Sequence, residues 1–252
     1  MSAVITAMAL TGLPEIRAGD DPAALIAAAM PPGAPAADDV LVVAHKFISK
    51  AEGRTRALSS VDPGEQARTL AARLGKDPRH VQVVLDETRE VRRAVHGVLI
   101  SVTHHGLVCA NAGVDASNSS DDDTVVLLPL DPDDSARRLR AGLLRLLGVG
   151  PAVLITDSFG RAWRHGQCDV AIGCAGLAPL EDWRGRHDAR GRELTATWIA
   201  VADELAAAAD LARAKDGMQP AVLIGGAGRH VTQADGPGAR ALLRDESQDL
   251  FR

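Results

Sequence analysis

Short apolar runs that do not alternate regularly with helical segments are the feature that most constrains the fold of this chain. Val40–Ala44 and Ala152–Ile155 are short and aliphatic, which is typical of buried strands. The other predicted strands are Val98–Val102, Leu107–Ala110, Thr124–Leu128 and Ala221–Ile224. A doubly wound fold needs strands and helices in regular alternation, so this order argues against it. The pattern favours a mixed α+β architecture and is compatible with two subdomains.

Capping residues predict where the helices begin and end. An acid followed by proline, a common helix start, occurs at Asp21-Pro22 and at Asp131-Pro132. Gly75 and Gly148 are suited to end two helices. The predicted helices are residues 23–30, Glu65–Leu74, Ser135–Leu147 and a long helix that ends near Ala212. The apolar stripe of that long helix consists of Leu194, Trp198, Val201 and Leu205.

The composition is that of an ordinary globular protein. The 252 residues are 46% hydrophobic, 24% charged and 2% aromatic, with a formal net charge of −5. This balance lacks the basic stripe and the aromatic platforms that nucleic-acid-binding surfaces need. We find no signal peptide and no apolar run near the ~20 residues of a membrane-spanning helix. The odd number of cysteines, without C-x-x-C spacing, favours buried thiols in the reducing cytoplasm.

The segment Thr156–Gln167 carries the densest chemistry in the sequence. It follows the predicted strand Ala152–Ile155, which would deliver an acid, a hydroxyl, glycines and arginines into one loop. Asp157 is suited to hold a hard cation, and Arg161 and Arg164 are suited to neutralise phosphate or carboxylate oxygens. The segment therefore predicts a site for a metal-bound, multiply charged anion.

A second acidic residue, Asp115, also follows a predicted strand and a bend of small residues. Two interpretations stay open for the segment Ala110–Asn118. Asp115 and Asn118 can stabilise a turn through side-chain hydrogen bonds to the backbone. Alternatively, Asp115 and Asp157 on neighbouring loops form a Mg²⁺ or Mn²⁺ site, because these cations prefer oxygen ligands and bridge to substrate phosphates.

Three cations, Lys46, Lys50 and Arg54, lie within nine residues after the strand Val40–Ala44. They form either a solvated basic turn or a group that binds a triphosphate or another polyanion. The segment Gly12–Asp21 is predicted to be a rigid turn before the first helix. The chain lacks the G-x-x-x-x-G-K-[ST], H-E-x-x-H and G-x-S-x-G motifs, so other loops must hold any nucleotide.

Taken together, the ordered motifs resemble the coenzyme F420-0:L-glutamate ligase family, also called F420:gamma-glutamyl ligases. The matching runs follow the family's order and span nearly the whole chain, which makes the set specific although no single run is. They are Gly12–Ile16, Val42–Lys46, Ile48–Arg54, Cys109–Asn118, Leu128–Asp133, Ile155–Arg161 with Arg164 and Gly166-Gln167, Val201–Ala206 and Asp249–Arg252. The chain resembles the ligase module alone, without the flavin-binding domain that follows it in some relatives.

The resemblance implies a ligase that uses GTP and a divalent metal to add L-glutamate to the deazaflavin coenzyme precursor F420-0. It also implies a homodimer of mixed α/β chains, with mixed and antiparallel sheets in subdomains 1–95 plus 190–252 and 96–189. The residues implied to contact GTP are Leu13, Pro14, Glu15, Ile16, His45, Lys46, Lys50, Asn118, Lys215, Asp216 and Gly217. Neither a nucleic acid nor a membrane is implied as a partner.

The resemblance further implies two Mg²⁺ or Mn²⁺ ions per site, with K⁺ as another candidate cofactor. Asp115 and Asp157 would bind one ion and Ser158 the second. The residues implied to neutralise charge during catalysis are Lys50, Arg161 and Arg164.

Some positions depart from the family's pattern. His45 stands where Gln is common, Ser158 replaces the more usual Thr, and Gly225 replaces a frequent Arg. Lys215 lies near the expected position of a neutral polar metal ligand, although an ammonium group cannot coordinate a cation. Two other functions stay open on the sequence alone: a metal-dependent phosphatase or kinase that uses the same aspartates, and a nucleotide- or deazaflavin-binding module without activity.

Overall fold

The structure is a computed structural model that describes residues 4–116, 123–214 and 217–249. Its strands are β1 (Thr6–Ala9), β2 (Val40–Ala44), β3 (Thr55–Ala57), β4 (Thr88–Val95), β5 (Val98–Thr103), β6 (Val108–Ala110), β7 (Thr124–Val126), β8 (Ala152–Arg161), β9 (Arg164–Ala175), β10 (Glu181–Asp182), β11 (Trp198–Ile199) and β12 (Ala221–Gly225). Its α-helices are α1 (Pro22–Ala29), α2 (His45–Ala51), α3 (Glu65–Leu74), α4 (Pro78–Asp86), α5 (Pro132–Leu147) and α6 (Val201–Ala212). The predicted mixed α+β class is confirmed.

A five-stranded sheet with the order β1-β12-β2-β8-β9 forms the centre of the described structure. Strands β2 and β8 pair in parallel, and the other neighbours pair antiparallel. Leu41 and Val43 pack on one face of the sheet with α1, α2 and α5, whereas Val40 and Val42 pack on the other face with α6. Because helices cover both faces, β2 is apolar along its whole length instead of alternating with polar residues.

The helix starts follow from the capping residues in the sequence. The side chain of Asp21 accepts hydrogen bonds from the backbone at the start of α1, and Asp131 does the same for α5. Gly75 and Gly148 end α3 and α5 in the left-handed conformation, which glycine adopts without a Cβ penalty. These predictions of helix start and end are confirmed.

A second layer packs beside the central sheet. Strands β4, β5 and β6 form an antiparallel sheet, and α3 and α4 bury a separate aliphatic cluster with it that includes Leu99 and Val81. Strand β7 pairs with β3, and its Val125 reaches the same cluster. The proposed division into subdomains 1–95 plus 190–252 and 96–189 stays a prediction.

Two predictions of local structure are wrong. The predicted loop Thr156–Gln167 forms most of a long hairpin, in which β8 continues to Arg161 and β9 begins at Arg164. The predicted long helix begins only at Val201, because Trp198 pairs with Asp182 in a short antiparallel ladder. In both cases pairing with a distant strand overrides the local preference of the residues. The sequence analysis also gave no prediction of α4 or β4.

A membrane-spanning helix needs about 20 consecutive, predominantly apolar residues. Over the residues that the structure describes, no helix has the necessary length and apolarity.

Candidate functional site

The parallel pair β2–β8 brings His45 and Asp157 together. The register places Ala44 opposite Thr156. The residues that follow them, His45 and Asp157, therefore lie next to each other. His45 Nε2 is 3.4 Å from Asp157 Oδ1, and the ring is 2% exposed. Nδ1 lies 3.3 Å from Ser49 Oγ, whereas the buried Nε2 has no hydrogen-bonding partner within the described ranges. A buried polar nitrogen without a partner calls for an explanation, and a ligand bound where the pairing of β2 with β8 ends would provide one.

Lys46, the next residue on α2, connects this pair to Asp115. Its Nζ lies 2.5 Å from Asp115 Oδ2, and both side chains are partly exposed. The backbone of Asp115 exchanges two hydrogen bonds with Val126, which fixes its position next to β7. Asp157 and Asp115 therefore contact consecutive residues at the start of α2, and their joint binding of one cation stays a prediction.

The last turn of α2 contacts the segment Leu13–Ile16. Lys50 Nζ donates a hydrogen bond to Glu15 Oε1 at 3.2 Å. Ile16 is buried in the aliphatic cluster under α2, and Leu13 packs against the same cluster. The structure thus places the first and second segments implied to contact GTP side by side.

Arg54, the third cation of the predicted basic group, follows α2 and contacts two distant residues. Arg54 donates to the Leu128 carbonyl at 2.9 Å and forms an ion pair with Glu87 at 2.8 Å. These contacts join α2 to the second layer, so Arg54 has a structural role. Lys46 and Lys50 also form ion pairs, with Asp115 and Glu15, and the binding of a polyanion by this group stays a prediction.

Ser158 belongs to a polar network on the opposite face of β8 from Asp157. Successive side chains of a strand alternate between faces, and the hydroxyls of Thr156 and Ser158 both donate to Asp169 on β9. Arg213, just after α6, forms a buried ion pair with Asp169. The side chains of Asp157 and Ser158 therefore point to opposite faces of the sheet, and their assignment to separate ions stays a prediction.

Asp169 is the functional candidate that the sequence analysis missed. It is 1% exposed and accepts hydrogen bonds from three side chains. The sequence feature that could have indicated its burial is strand alternation. Asp169 lies two residues before the buried Ala171, so both side chains point to the same, inward face of β9. The interpretation of Thr156–Gln167 as a loop hid that strand and its periodicity.

Arg161 and Arg164 lie at the exposed end of the β8–β9 hairpin. They pair with each other in register, and Arg161 Nη2 donates to the His165 carbonyl at 2.7 Å. Arg161 lies four steps along the strand from Asp157, which corresponds to about 13 Å. The two arginines therefore do not follow Asp157 directly on the strand, and their catalytic role stays a prediction.

The predicted segment after α6 is described only in part. Asn118, Lys215 and Asp216 lie outside the described residues. The Gly217 N–H donates to the Ala214 carbonyl at 3.1 Å in an exposed turn. The predicted contacts of these residues with GTP stay predictions.

The carboxylate oxygens of Asp115 and Asp157 are suitable ligands for a hard divalent cation that also binds a substrate. Within the described ranges, no three His, Cys, Asp or Glu side chains are close enough to hold a metal ion by themselves. Magnesium is usually held by one or two carboxylates together with substrate phosphates, so Asp115 and Asp157 are an adequate protein contribution. Oxygen donors are the ligands that Mg²⁺ and Mn²⁺ prefer, whereas soft thiolate ligands select other metals.

Burial raises the pKa of Cys109 to about 12, and the negative charge of Asp157 contributes to the shift. Burial likewise raises the pKa of Cys174 to about 12. A thiol with such a pKa is not a nucleophile near neutral pH, since the thiolate is the reactive form. Burial and the raised pKa therefore argue against a nucleophilic role for Cys109 and Cys174.

Iodoacetamide at about pH 8 will leave Cys109 and Cys174 unmodified in the folded protein, because both thiols are buried and protonated. Peptide mass spectrometry will locate the label, and the less buried Cys168 is the internal control. Labelling of Cys109 as fast in the folded protein as in guanidinium chloride would contradict this assignment.

Fold and site define a mixed α+β protein in which carboxylate and ammonium groups meet at the end of a parallel strand pair. The chain belongs to the F420-0:Gamma-glutamyl ligase family, whose family model matches residues 12–226. It is 43% identical over 252 residues to the coenzyme F420:L-glutamate ligase of Methanothermobacter thermautotrophicus, covering 98% of this chain and 99% of the relative.

Two further relatives carry the same name. The coenzyme F420:L-glutamate ligase of Methanopyrus kandleri is 45% identical over 242 residues, covering 94% of each chain. That of Haloarcula marismortui is 43% identical over 251 residues, covering 97% of this chain and 94% of the relative. The family membership predicted from the ordered motifs is confirmed.

Proposed function

We propose that this chain joins L-glutamate to the deazaflavin coenzyme precursor F420-0 and that it uses GTP and a divalent cation to do so. The relatives named as coenzyme F420:L-glutamate ligases cover nearly the whole chain, which supports the reaction and both substrates. Addition of further glutamates through γ-linkages belongs to the same proposal, as do a homodimer and a cytoplasmic location.

The observation that carries the proposal is the position of α2. This helix places Lys46 against Asp115 and Lys50 against Glu15, next to the segment Leu13–Ile16. A nucleotide triphosphate brings several negative charges, which two ammonium groups on one helix can neutralise. The same ammonium groups offset the carboxylates while no phosphate is bound.

Asp115 and Asp157 would hold one divalent cation between the protein and the phosphates, and Ser158 would contribute to a second. When bound, such a cation neutralises phosphate charge and draws two anions together. The protein's own contribution is geometric and electrostatic. It holds the acceptor carboxylate and the γ-phosphate in line and keeps the surrounding charges in place.

The proposed reaction has two steps. A carboxylate oxygen of the acceptor attacks the γ-phosphorus of GTP, the bond from that phosphorus to the bridging oxygen breaks, and GDP leaves. The glutamate amine then attacks the acyl phosphate carbon, the carbon–oxygen bond to phosphate breaks, and an amide, inorganic phosphate and a released proton result. Arg161 and Arg164 are assigned to the acceptor rather than to GTP, because their hairpin end is distant from Asp157.

Incubation of the purified chain with GTP, Mn²⁺, L-glutamate and F420-0 should produce acceptor molecules heavier by one glutamate residue, or by several. Mass spectrometry of the products reads this directly. Removal of the metal with EDTA should abolish the product, and Mn²⁺ should restore it, since in the proposed reaction the cation joins Asp115 and Asp157 to the phosphates.

The same mixture separates the two alternative functions. A phosphatase or kinase would release or transfer phosphate from GTP at the same rate without glutamate. A binding module would bind GTP or the deazaflavin in calorimetry and form no product. Either result would reject the ligase proposal.

A further inference from the structure

A buried carboxylate on β9, Asp169, connects the strand that carries Ser158 to the end of α6. Asp169 Oδ1 accepts the Ser158 hydroxyl at 2.6 Å, and Oδ2 accepts the Thr156 hydroxyl at 2.9 Å and a hydrogen bond from Arg213. Ser158 and Asp169 are register partners across β8 and β9. The contact between them is therefore built into the strand pairing.

Arg213 balances the charge of Asp169. Its side chain is 9% exposed and pairs with the carboxylate, and Nη2 also donates to Thr156 Oγ1 at 3.2 Å. Arg213 Nε also lies 3.7 Å from Asp210 Oδ1, so one guanidinium offsets two carboxylates, and charge alone does not distinguish Asp169 from Asp210. What is specific to Asp169 is the direction of its hydrogen bond with Ser158.

A carboxylate can only accept, so the hydroxyl proton of Ser158 points at Asp169 and the lone pairs of the oxygen point elsewhere. Hard divalent cations coordinate such lone pairs. We propose that Asp169 is a positioning residue that fixes the Ser158 hydroxyl as an electron-pair donor to a divalent cation or to its bound water. The inference rests on the proposed function, in which Ser158 contributes to the second cation.

The substitution Asp169→Asn reverses this hydrogen bond. Arg213 and Thr156 both donate, so the amide oxygen will stay with them and the amide NH₂ will face Ser158. The NH₂ then donates to Ser158 Oγ and occupies a lone pair that the cation needs. In a Mn²⁺ titration with GDP followed by electron paramagnetic resonance, the wild-type chain should show two classes of bound Mn²⁺. The variant should weaken one class about 10- to 100-fold, as loss of an outer-shell partner does.

Asp203→Asn is the matched control. Asp203 is also a largely buried carboxylate beside β9, and its side chain accepts the Ala171 N–H at 2.9 Å. An Asn oxygen can accept the same hydrogen bond, so both Mn²⁺ classes should keep their affinity. Equal weakening by the two substitutions would overturn the inference, as would unchanged Mn²⁺ binding in folded Asp169→Asn protein.

A second pair of variants covers the case in which Asp169→Asn does not fold, as judged by circular dichroism. Ser158→Ala should lose the same Mn²⁺ class, and Ser158→Thr should keep it because the hydroxyl remains. Two intact classes in Ser158→Ala, or one class only in the wild-type chain, would overturn the inference. A wild-type chain that binds both Mn²⁺ classes but transfers no glutamate rejects the proposed function, whereas the positioning role of Asp169 is then decided separately by the Mn²⁺ affinities of the variants.

Discussion

Replacement of Asp157 by Asn will lower the rate of glutamate transfer about a hundredfold or more. Asp157 supplies a carboxylate at the end of the parallel strand pair, 3.4 Å from His45. In the proposed reaction this charge holds the cation that joins protein and phosphates, and loss of one preorganised electrostatic contact costs on the order of 3 kcal/mol in the transition state. Product formation from GTP, Mn²⁺, glutamate and F420-0, followed by mass spectrometry, measures the effect.

The fold should survive this substitution. Asn has nearly the volume of Asp, and its oxygen can still accept the Ser158 N–H that Asp157 Oδ1 accepts at 2.8 Å. Asp86→Asn is a suitable control, because Asp86 forms a partly exposed ion pair with Arg56 in the second layer. Its activity should equal that of the wild-type chain. Near-native turnover of a folded Asp157→Asn protein would show that Asp157 is not in the catalytic site.

Replacement of Asp133 by Ala will destabilise the fold by about 3 kcal/mol, because two buried N–H groups lose their acceptor and each such loss costs about 1–3 kcal/mol. Asp133 is 5% exposed at the start of α5. Its Oδ1 accepts the Cys174 N–H at 2.8 Å and the Ala239 N–H at 2.6 Å, so one carboxylate joins α5, β9 and the C-terminal segment. For a chain of this size the melting temperature should fall by about 6–12 °C, measured by calorimetry.

The neighbouring Asp134 provides the matched control. Asp134 lies in the same first turn of α5 but is about half exposed and pairs with Arg138 on the surface. Its replacement by Ala removes a similar charge from the helix start and should cost no more than about 1 kcal/mol. If both alanine variants melt at the same temperature, the network around Asp133 does not stabilise the fold as we argue.

The elements that the sequence predicted best are those whose limits are local. β2 and α3 have the predicted bounds, because an aliphatic run buried on both faces and a glycine C-cap are determined within a few residues. The starts of α1 and α5 follow in the same way from an acid and a proline. These features need no information about distant parts of the chain.

The errors occur where a distant partner decides the conformation. The glycines and charged residues of Thr156–Gln167 resemble a loop, yet β8 and β9 pair over almost all of this segment. The stripe through Trp198 has helical spacing, yet Trp198 lies in a short ladder with β10. Strand pairing depends on residues that local periodicity does not include.

The sequence by itself determined the residue types of the site and their order along the chain. From this order of motifs the family could be predicted. Only the tertiary structure decided which of these residues act together. Lys46 meets Asp115, and Asp169 meets Ser158 and Arg213, across long stretches of chain. The physical reason is strand geometry: the register of β2, β8 and β9 fixes which side chains lie opposite one another, and the alternation of faces sends Asp157 and Ser158 to opposite sides of the sheet.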